Sequence, residues 1–320
     1  MNKRMTAYII GVLLLAEAAL MLLPACVALY YGEWPCVSAY VFTASLLAAV
    51  SYFLIRLRVS TRTIYSREGL VAVALGWAVL SLGGSLPFVF SGEIPSFLDA
   101  FFETVSGFTT TGASILPRVE DLSRATLFWR SFTHWVGGMG VLVLITIIAD
   151  KLPERSMNIL KAEMPGPIVG KLVPKTKDTS RILYLIYLGI TALVTVLLLV
   201  GGMPLFDSVV HAFGTAGTGG FGIKADSIAG YSPYLQWVIT FGMLAFGVNF
   251  NIYFLLLLRR FGAALRSTEL WTYLGIVAAS VLAITVNIAS LYETLGDQQL
   301  ANYVRSHTAG RIRLLTGLYL

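Results

Sequence analysis

The chain has 320 residues, of which 57% are hydrophobic and only 12% are charged, and its net charge is +6. Soluble proteins average about 25% charged residues, so this composition excludes a soluble fold. It predicts an all-α polytopic membrane protein, because helices satisfy their own backbone hydrogen bonds in lipid. The same class explains the positive charge, since Lys and Arg accumulate in cytoplasmic loops.

Seven apolar runs are long enough to cross a bilayer, which takes about 17–25 helical residues. They cover residues 7–30, 37–55, 69–90, 123–149, 181–202, 233–258 and 269–290. The first run has no small-residue cleavage site and is interpreted as a retained span. Most of the 23 Lys and Arg residues fall before the first run or after the second, fourth and sixth. This asymmetry predicts that the N-terminus is cytoplasmic.

Two connections between the predicted spans differ from ordinary loops. Residues 95–114 and 204–222 each open with Pro, continue with about a dozen mostly apolar residues, and end in Thr and Gly. Twelve helical residues rise about 18 Å, which is too short for about 30 Å of hydrocarbon. Each segment is therefore predicted to enter the membrane as a half-helix and to return.

The two segments are similar to each other in sequence. Aligning Thr110 with Thr218 superimposes them and also places Gly112 on Gly220. The unit of span, half-helix, Thr/Gly loop and span therefore occurs twice, and internal repetition is typical of pores and transporters. The predicted divisions are an N-terminal two-span hairpin, a first repeat, a second repeat, and a partial third repeat with an aberrant tail. They cover residues 1–60, 61–160, 161–267 and 268–320.

The Thr/Gly loops have the chemistry of a cation site. Non-helical backbone at membrane depth is tolerated where it lines a water-filled cavity, and carbonyl oxygens there can replace the hydration shell of a monovalent cation. Glycine supplies the backbone angles that turn successive carbonyls the same way. The predicted ion-binding residues are Thr109, Thr110, Thr111, Gly112, Gly217, Thr218, Gly219 and Gly220. The alternative, helix ends or small-residue packing sites, is disfavoured by the match between the two loops.

Three carboxylates lie near the N-termini of the half-helices, where negative charge complements the helix dipole. They are predicted to lie at the pore mouth and to concentrate cations there. These residues are Asp99, Glu103 and Asp207.

Four stretches carry a family resemblance: SGFTTTGAS at 106–114, HWVGGMGV at 134–141, AEMPGP at 162–167 and TGGF at 218–221. Through them the chain resembles the TrkH/KtrB potassium-transport family, and its TrkH branch in particular, over residues 1 to about 297. The resemblance implies a potassium-channel-like architecture, in which four span–pore-loop–span repeats surround one pore. Gly112 and Gly220 match the first two filter glycines, and Gly222 stands where many relatives have Ser.

The resemblance also implies a function and partners. The chain would be the pore-forming subunit of a Trk-type potassium uptake system in the bacterial inner membrane, with potassium as substrate and no bound cofactor. The complete protein would be a homodimer that binds a cytosolic nucleotide-binding regulatory subunit of the TrkA type. Residues 151–181 and Arg259–Arg266 are candidate docking faces, although ordinary positive-inside charge is their simpler interpretation.

The last residues depart from the family pattern. No third half-helix or Thr/Gly loop follows Asp297, and Arg305, Arg311 and Arg313 fall where an apolar pore segment is expected. We interpret residues 298–320 as a truncation or a shifted reading frame, so that this chain alone is not expected to conduct. The alternatives are a non-conducting membrane fragment and a secondary carrier of another solute, the latter disfavoured because both repeats start on the same side. Channel-like transport and coupling to protons or sodium both remain open.

Other polar positions have simpler structural interpretations. Close helix packing or a hinge is predicted for residues 137–140, which read GGMG inside a span. Interhelical hydrogen bonding is predicted for Asn249 and Asn251, and structural roles for two histidines without metal-ligand spacing, His134 and His211. Glu17 is an intramembrane carboxylate with no evident partner.

No enzyme chemistry is evident, since the sequence offers no nucleophile–base pair, metal cluster or phosphate loop. Cys26 and Cys36 are interpreted as unpaired, with a disulfide as the alternative.

Overall fold

The structure is a computed structural model that describes residues 3–56, 66–149 and 176–286. All regular structure in these ranges is helical, which confirms the all-α prediction. The predictions for the tail 298–320, for the AEMPGP motif and for most of the basic segment 151–181 lie outside the described residues. In chain order the helices are α1 Lys3–Leu20, α2 Leu22–Tyr31, α3 Trp34–Arg56, α4 Ser66–Phe90, α5 Phe97–Phe108, α6 Arg124–Ala149, α7 Thr176–Val200, α8 Leu205–Ala216, α9 Pro233–Gly247, α10 Phe250–Leu257, α11 Phe261–Leu265 and α12 Thr268–Val286.

Five helical segments of the described chain are long and apolar enough to cross a membrane. They are Arg4–Tyr31, which joins α1 and α2, together with Trp34–Arg56, Val71–Phe90, Arg181–Val200 and Thr268–Val286. The fourth predicted span coincides with α6, whose 26 residues extend about 39 Å. The chain is therefore a multi-pass membrane protein, as its composition predicts.

The sixth predicted span, 233–258, is not one straight helix. It consists of α9 and α10, which meet at 88°. Val248 is extended between them, with φ −73° and ψ 138°, and the Asn249 side chain caps α10 by accepting a hydrogen bond from the Asn251 amide at 2.9 Å. The Asn249 side chain also donates to both carboxylate oxygens of Glu269 in α12, at 2.9 Å each. The interhelical hydrogen bond predicted for Asn249 is therefore present, and it holds the bend against the next helix.

The two predicted half-helices are α5 and α8, each 12 residues long. Helix α5 packs against α4 and α6, whereas α8 packs against α6, α7 and α9. Ser96 caps the N-terminus of α5, and its side chain accepts a hydrogen bond from the Asp99 amide at 3.4 Å. Each half-helix is thus held between longer helices, and its C-terminus leads directly into a Thr/Gly loop.

Helix α6 joins the two halves of the described protein through aromatic side chains. Trp135 stacks on Phe132 with ring centroids 5.5 Å apart, and it also contacts Phe213 of α8 at 5.5 Å and Tyr187 of α7 at 5.6 Å. One hydrophobic cluster lies on each side of this contact. The aromatic contact therefore fixes the second half-helix relative to the first.

The N-terminal hairpin supports the start of α6. The Glu33 carboxylate accepts hydrogen bonds from the amides of Arg124 at 2.7 Å and Ala125 at 3.0 Å. These N–H groups belong to the first turn of α6 and have no partner inside the helix. A carboxylate here also complements the positive end of the helix dipole, so the hairpin positions the helix that lies behind the loops.

Candidate functional site

The two Thr/Gly loops lie directly against each other. A Cβ atom added to Gly112 would overlap the carbonyl oxygen of Gly219, and one added to Gly219 would lie 2.6 Å from the Thr110 oxygen. The peptide groups of the two loops therefore meet without intervening side chains. Only glycine permits so close an approach at these positions.

The backbones of the two loops have the same unusual conformation. Thr110 and Gly112 have φ of 56° and 73°, and their counterparts in the second repeat, Thr218 and Gly220, have φ of 57° and 75°. Non-glycine residues rarely adopt positive φ, and backbone of this kind is enriched at functional sites in proteins generally. Left-handed residues at alternate positions turn successive peptide groups in the same sense. This is the backbone that a carbonyl-lined strand requires.

The hydrogen bonds at the ends of the half-helices repeat in the same alignment. In the first loop the amides of Thr109, Thr110 and Gly112 donate to the oxygens of Val105, Gly107 and Ser106, at 2.9, 3.0 and 3.5 Å. In the second loop the amides of Gly217, Thr218 and Gly220 donate to the oxygens of Phe213, Thr215 and Gly214, at 3.1, 3.0 and 3.2 Å. The similarity of the two segments therefore extends from sequence to hydrogen bonding.

A cavity of about 380 Å³ opens beside the loops. The glycines Gly112, Gly219 and Gly220 line it on one side, and residues of α9 and α12, among them Ile239 and Val277, line the other. The ends of α5 and α8 precede these loops, so the partial negative charge of each helix C-terminus lies close to the glycines. Irregular backbone beside a cavity, at the negative ends of two helices, is suited to a cation.

The remaining predicted loop residues occupy different surroundings. Thr109 and Thr111 are exposed, and their hydroxyl oxygens are 2.8 Å apart. The Thr109 hydroxyl also donates to the Val105 oxygen at 2.7 Å. Gly217, in contrast, is packed against α6, where an added Cβ would lie 2.9 Å from the His134 carbonyl oxygen. Gly217 therefore sets the approach of the second loop to α6.

Glu103 does not lie at an exposed mouth, which corrects its predicted role. Its side chain is fully buried and forms an ion pair with Arg130 of α6 at 2.7 Å. It also accepts hydrogen bonds from the Ser114 hydroxyl at 2.8 Å and the Ile115 amide at 2.7 Å. Helix α5 places Glu103 behind the first loop, because its side chain points to α6 rather than to the outer surface.

Arg130 is a site residue that the sequence reasoning missed. Its guanidinium donates to the Gly222 oxygen at 3.1 Å and lies 3.7 Å from the centre of the Phe221 ring. The sequence did carry a signal, since an Arg inside the apolar run 123–149 is expensive in a membrane and by default marks a functional position. The partner of this Arg could not be predicted, because it lies in another helix.

The other two carboxylates lie in the first turns of the half-helices. Asp99 is half-buried at the start of α5. Asp207, at the start of α8, is paired with Arg124 at 3.4 Å, and its side chain is 17% exposed. Both carboxylates therefore face the side on which the half-helices begin, and the charge of Asp207 is partly neutralised.

The segments that follow the two loops are joined by a hydrogen bond. The Glu120 carboxylate accepts it from the Ala225 amide at 2.6 Å. This bond favours the ionised form and holds the pKa of Glu120 below its usual value. The contact adds a further link between the two halves of the site.

The structure also shows the surroundings of the GGMG glycines and of the two histidines. The three glycines of this sequence are close-packed. An added Cβ would overlap the Phe108 oxygen at Gly137 and would lie 2.7 Å from the Tyr187 hydroxyl at Gly138. At Gly140 it would lie 2.5 Å from the Trp77 ring. This agrees with helix packing as the role of the GGMG sequence. Both histidines, His134 and His211, are buried among the packed helices.

The structure also shows the burial and bonding of Glu17 and of the two cysteines. The carboxylate of Glu17 is buried in α1 with no hydrogen-bond partner among the described residues. Cys26 is exposed and Cys36 buried, and both are free thiols rather than a disulfide. Within the described ranges no cluster of His, Cys, Asp or Glu could hold a metal ion.

Comparison with known proteins gives one consistent match. The profile of the TrkH family, described as a cation transport protein, matches residues 37–286. The chain is 36% identical to the "Trk system potassium uptake protein TrkH" of Salmonella typhimurium over 295 residues, which is 89% of this chain and 60% of the relative. It is 33% identical to the "Trk system potassium uptake protein TrkG" of Escherichia coli, over 89% of this chain and 59% of that one.

A solved structure agrees with the sequence comparison. The fold is similar to the crystal structure of the potassium transporter TrkH from Vibrio parahaemolyticus, with a TM-score of 0.73 and 27% identity. The similarity covers 98% of this chain and 64% of that chain. The present chain thus spans about 60% of the length of the relatives that it matches.

Proposed function

Because the chain belongs to the TrkH family of cation transport proteins, we propose that it moves potassium ions across the plasma membrane as the pore-forming subunit of a Trk-type uptake system. The relatives that it resembles are potassium uptake proteins by name. The family is one of transporters and not of enzymes. Potassium is then the transported substrate, and no cofactor is needed.

One observation carries the proposal beyond family membership. The two adjoining loops repeat the same pattern of positive φ angles at Thr110, Gly112, Thr218 and Gly220. Backbone carbonyls can replace the water shell of a potassium ion where peptide groups are turned in this way beside a cavity. We assign ion binding to residues 109–112 and 217–220, each loop contributing one strand of the filter. Within this assignment Gly217 shapes the loop, because it packs against the α6 backbone at His134.

The mouth of the pathway is assigned to Asp99 and Asp207. Carboxylates at a pore entrance raise the local cation concentration. The repeats proposed around this pathway are residues 61–160 and 161–267, preceded by the hairpin 1–60 and followed by the start of a third unit. This division places one half-helix and one Thr/Gly loop in each full repeat.

The membrane and the partners belong to the same proposal. The protein would lie in the bacterial inner membrane with its N-terminus in the cytoplasm, as the distribution of Lys and Arg indicates. The complete protein would be a homodimer and would bind a nucleotide-binding regulatory subunit of the TrkA type. Arg259, Arg260 and Arg266 are exposed on the predicted cytoplasmic side and could contact that subunit, together with residues 151–181.

Potassium uptake by the complete protein that contains this chain tests this function. Bacterial cells that lack their own potassium uptake systems should grow at low potassium when they express the complete protein, and they should take up potassium in preference to sodium. Gly220→Ser should reduce this preference, because Gly220 has φ of 75° in the filter strand.

Gly202→Ser is the matched control. Gly202 also has positive φ, at 84°, but it lies outside the loops, and nothing lies within 4 Å of an added Cβ. Unchanged preference in Gly220→Ser would contradict the filter assignment. Failure of the unsubstituted complete protein to support uptake would contradict the function itself.

A further inference from the structure

The ion pair between Glu103 and Arg130 contacts both Thr/Gly loops. The Glu103 carboxylate accepts hydrogen bonds from Ser114 and Ile115, which follow the first loop. The Arg130 guanidinium uses one nitrogen for Glu103 and another for the Gly222 oxygen, which follows the second loop. Both charged side chains are almost completely buried, at 0% and 3% exposed.

The two contacted positions are equivalent in the internal repeat. The alignment that places Gly112 on Gly220 also places Ser114 on Gly222, so the carboxylate holds one loop and the guanidinium holds the other at the same point. The clamping residues themselves are not repeated: His211 stands in the place of Glu103. Counted from the equivalent capping serines Ser123 and Ser232, Ile239 stands in the place of Arg130. His211 instead hydrogen-bonds the Tyr231 hydroxyl, at 3.2 Å. The second repeat therefore has no equivalent ion pair at these positions, and its loop is held by the Arg130 of the first.

The chemistry of the two groups suits this task. Arg presents several N–H donors in a fixed planar fork, so one guanidinium can bind a carboxylate and a carbonyl at the same time. Lys presents a single ammonium centre and cannot reproduce that geometry. The Phe221 ring, 3.7 Å from the guanidinium carbon, adds a cation–π contact that fixes its plane. Removing either partner would leave a buried charge unpaired, which is strongly unfavourable.

We propose that Glu103 and Arg130 form one clamp that fixes the two Thr/Gly loops relative to each other and thereby sets the preference for potassium over sodium. Neither residue touches the ion, and both act as positioning residues through the backbone at 114 and 222. The selectivity part of this inference rests on the proposed function, whereas the clamp itself does not. The clamp is defined by Glu103, Arg130 and the two backbone segments that they hold.

Hydrogen exchange of the full chain in lipid bilayers tests the clamp directly. Arg130→Gln should accelerate amide exchange by about tenfold or more in residues 109–116 and also in residues 217–224, because both loops lose their anchor. Arg130→Lys should keep the pair with Glu103 and lose the bond to Gly222. Its acceleration should therefore be confined to residues 217–224.

Two further variants separate the clamp from general destabilisation. Glu103→Gln removes the buried carboxylate and should accelerate exchange in both loops, which keeps the test decisive if Arg130→Gln does not accumulate. Arg118→Gln breaks a solvent-exposed ion pair with Asp121 at 3.0 Å and should leave both loops unchanged. Unaltered exchange of residues 217–224 in both Arg130 variants would overturn the clamp. An equal effect of Arg118→Gln would overturn it as well.

Uptake measurements on the same variants test the link to selectivity. Potassium and sodium uptake by cells expressing each variant should show a loss of preference in Arg130→Lys, Arg130→Gln and Glu103→Gln, and none in Arg118→Gln. Accelerated exchange with unchanged preference would overturn the link to selectivity. These uptake measurements use the complete protein that contains this chain. If the unsubstituted complete protein does not take up potassium, the proposed function fails together with this link, and the exchange data still decide the clamp.

Discussion

Replacing Gly112 by Ala adds one methyl group at the closest approach of the two loops. The added Cβ would overlap the Gly219 oxygen and lie 2.6 Å from its carbonyl carbon and 2.9 Å from its Cα. Carbon atoms in ordinary contact are at least about 3.4 Å apart, so the carbon contact alone requires the loops to separate by at least about 0.8 Å. No side-chain rotation can relieve this contact, because all three atoms belong to the main chain.

The positive φ of Gly112 adds a second cost. Ala in the left-handed region is less favourable than glycine by about 1–2 kcal/mol, and Gly112 has φ of 73°. Gly92→Ala separates the two effects, since Gly92 has φ of 77° and nothing within 4 Å of an added Cβ. Both variants carry the conformational cost, and only Gly112→Ala separates the loops.

We therefore expect a specific loss of selectivity in Gly112→Ala. The preference for potassium over sodium should fall by at least about tenfold, which corresponds to about 1.4 kcal/mol. Gly92→Ala should lower the thermal unfolding midpoint and leave the preference unchanged. Uptake of potassium in the presence of competing sodium, with thermal unfolding of the purified chain, measures both effects. Wild-type selectivity in Gly112→Ala, or an equal loss in Gly92→Ala, would refute the reasoning.

Three other expectations follow from separate contacts. Gly137→Ala should lower the thermal unfolding midpoint because its Cβ would overlap the Phe108 oxygen, whereas Gly189→Ala, which has open space in α7, should leave it unchanged or raise it; a similar fall in both would contradict the packing argument. The NMR signal of the Ala225 amide should titrate with Glu120, at a midpoint below the usual glutamate pKa of about 4.3. Because the pKa of Glu120 is lowered, the hydrogen bond is present above the lowered value and is lost as the pH falls through it. Glu120→Gln should abolish this titration, and a midpoint at or above the usual value would argue against the bond. Asp207→Asn should change the free energy of unfolding by less than about 1 kcal/mol and should slow potassium uptake at low ionic strength only; an equal effect at high salt would exclude an electrostatic role.

Much of the fold follows from the sequence, because its determinants are local. The length of each apolar run predicts a span, and the 12-residue half-helices α5 and α8 are found where Pro and the Thr/Gly turns predict them. The alignment of the two segments predicts that the loops share one backbone, and their φ angles and hydrogen bonds do repeat in that alignment. Glycine and threonine at matching positions are sufficient for this shared backbone, since each residue limits its own φ and ψ angles.

Other features depend on contacts that local patterns cannot reveal. The bend of 88° between α9 and α10 is held by Asn249 with Glu269, which lies 20 residues away. A continuous apolar run gives no sign of such a break, so the sequence predicts one span there. The prediction that Glu103 lies at the mouth was wrong for a similar reason. Its position in the half-helix does not tell which neighbouring helix its side chain faces.

Local sequence patterns are sufficient to predict the membrane environment of this protein, its half-helices and the positions of its two loops, since these depend on hydrophobic length and on glycine. The way in which the loops are held depends instead on contacts between distant helices. Arg130 reaches Glu103 across 27 residues and Gly222 across 92. A buried charge needs a partner of opposite charge. Which residue can serve as that partner depends on how all the helices pack together.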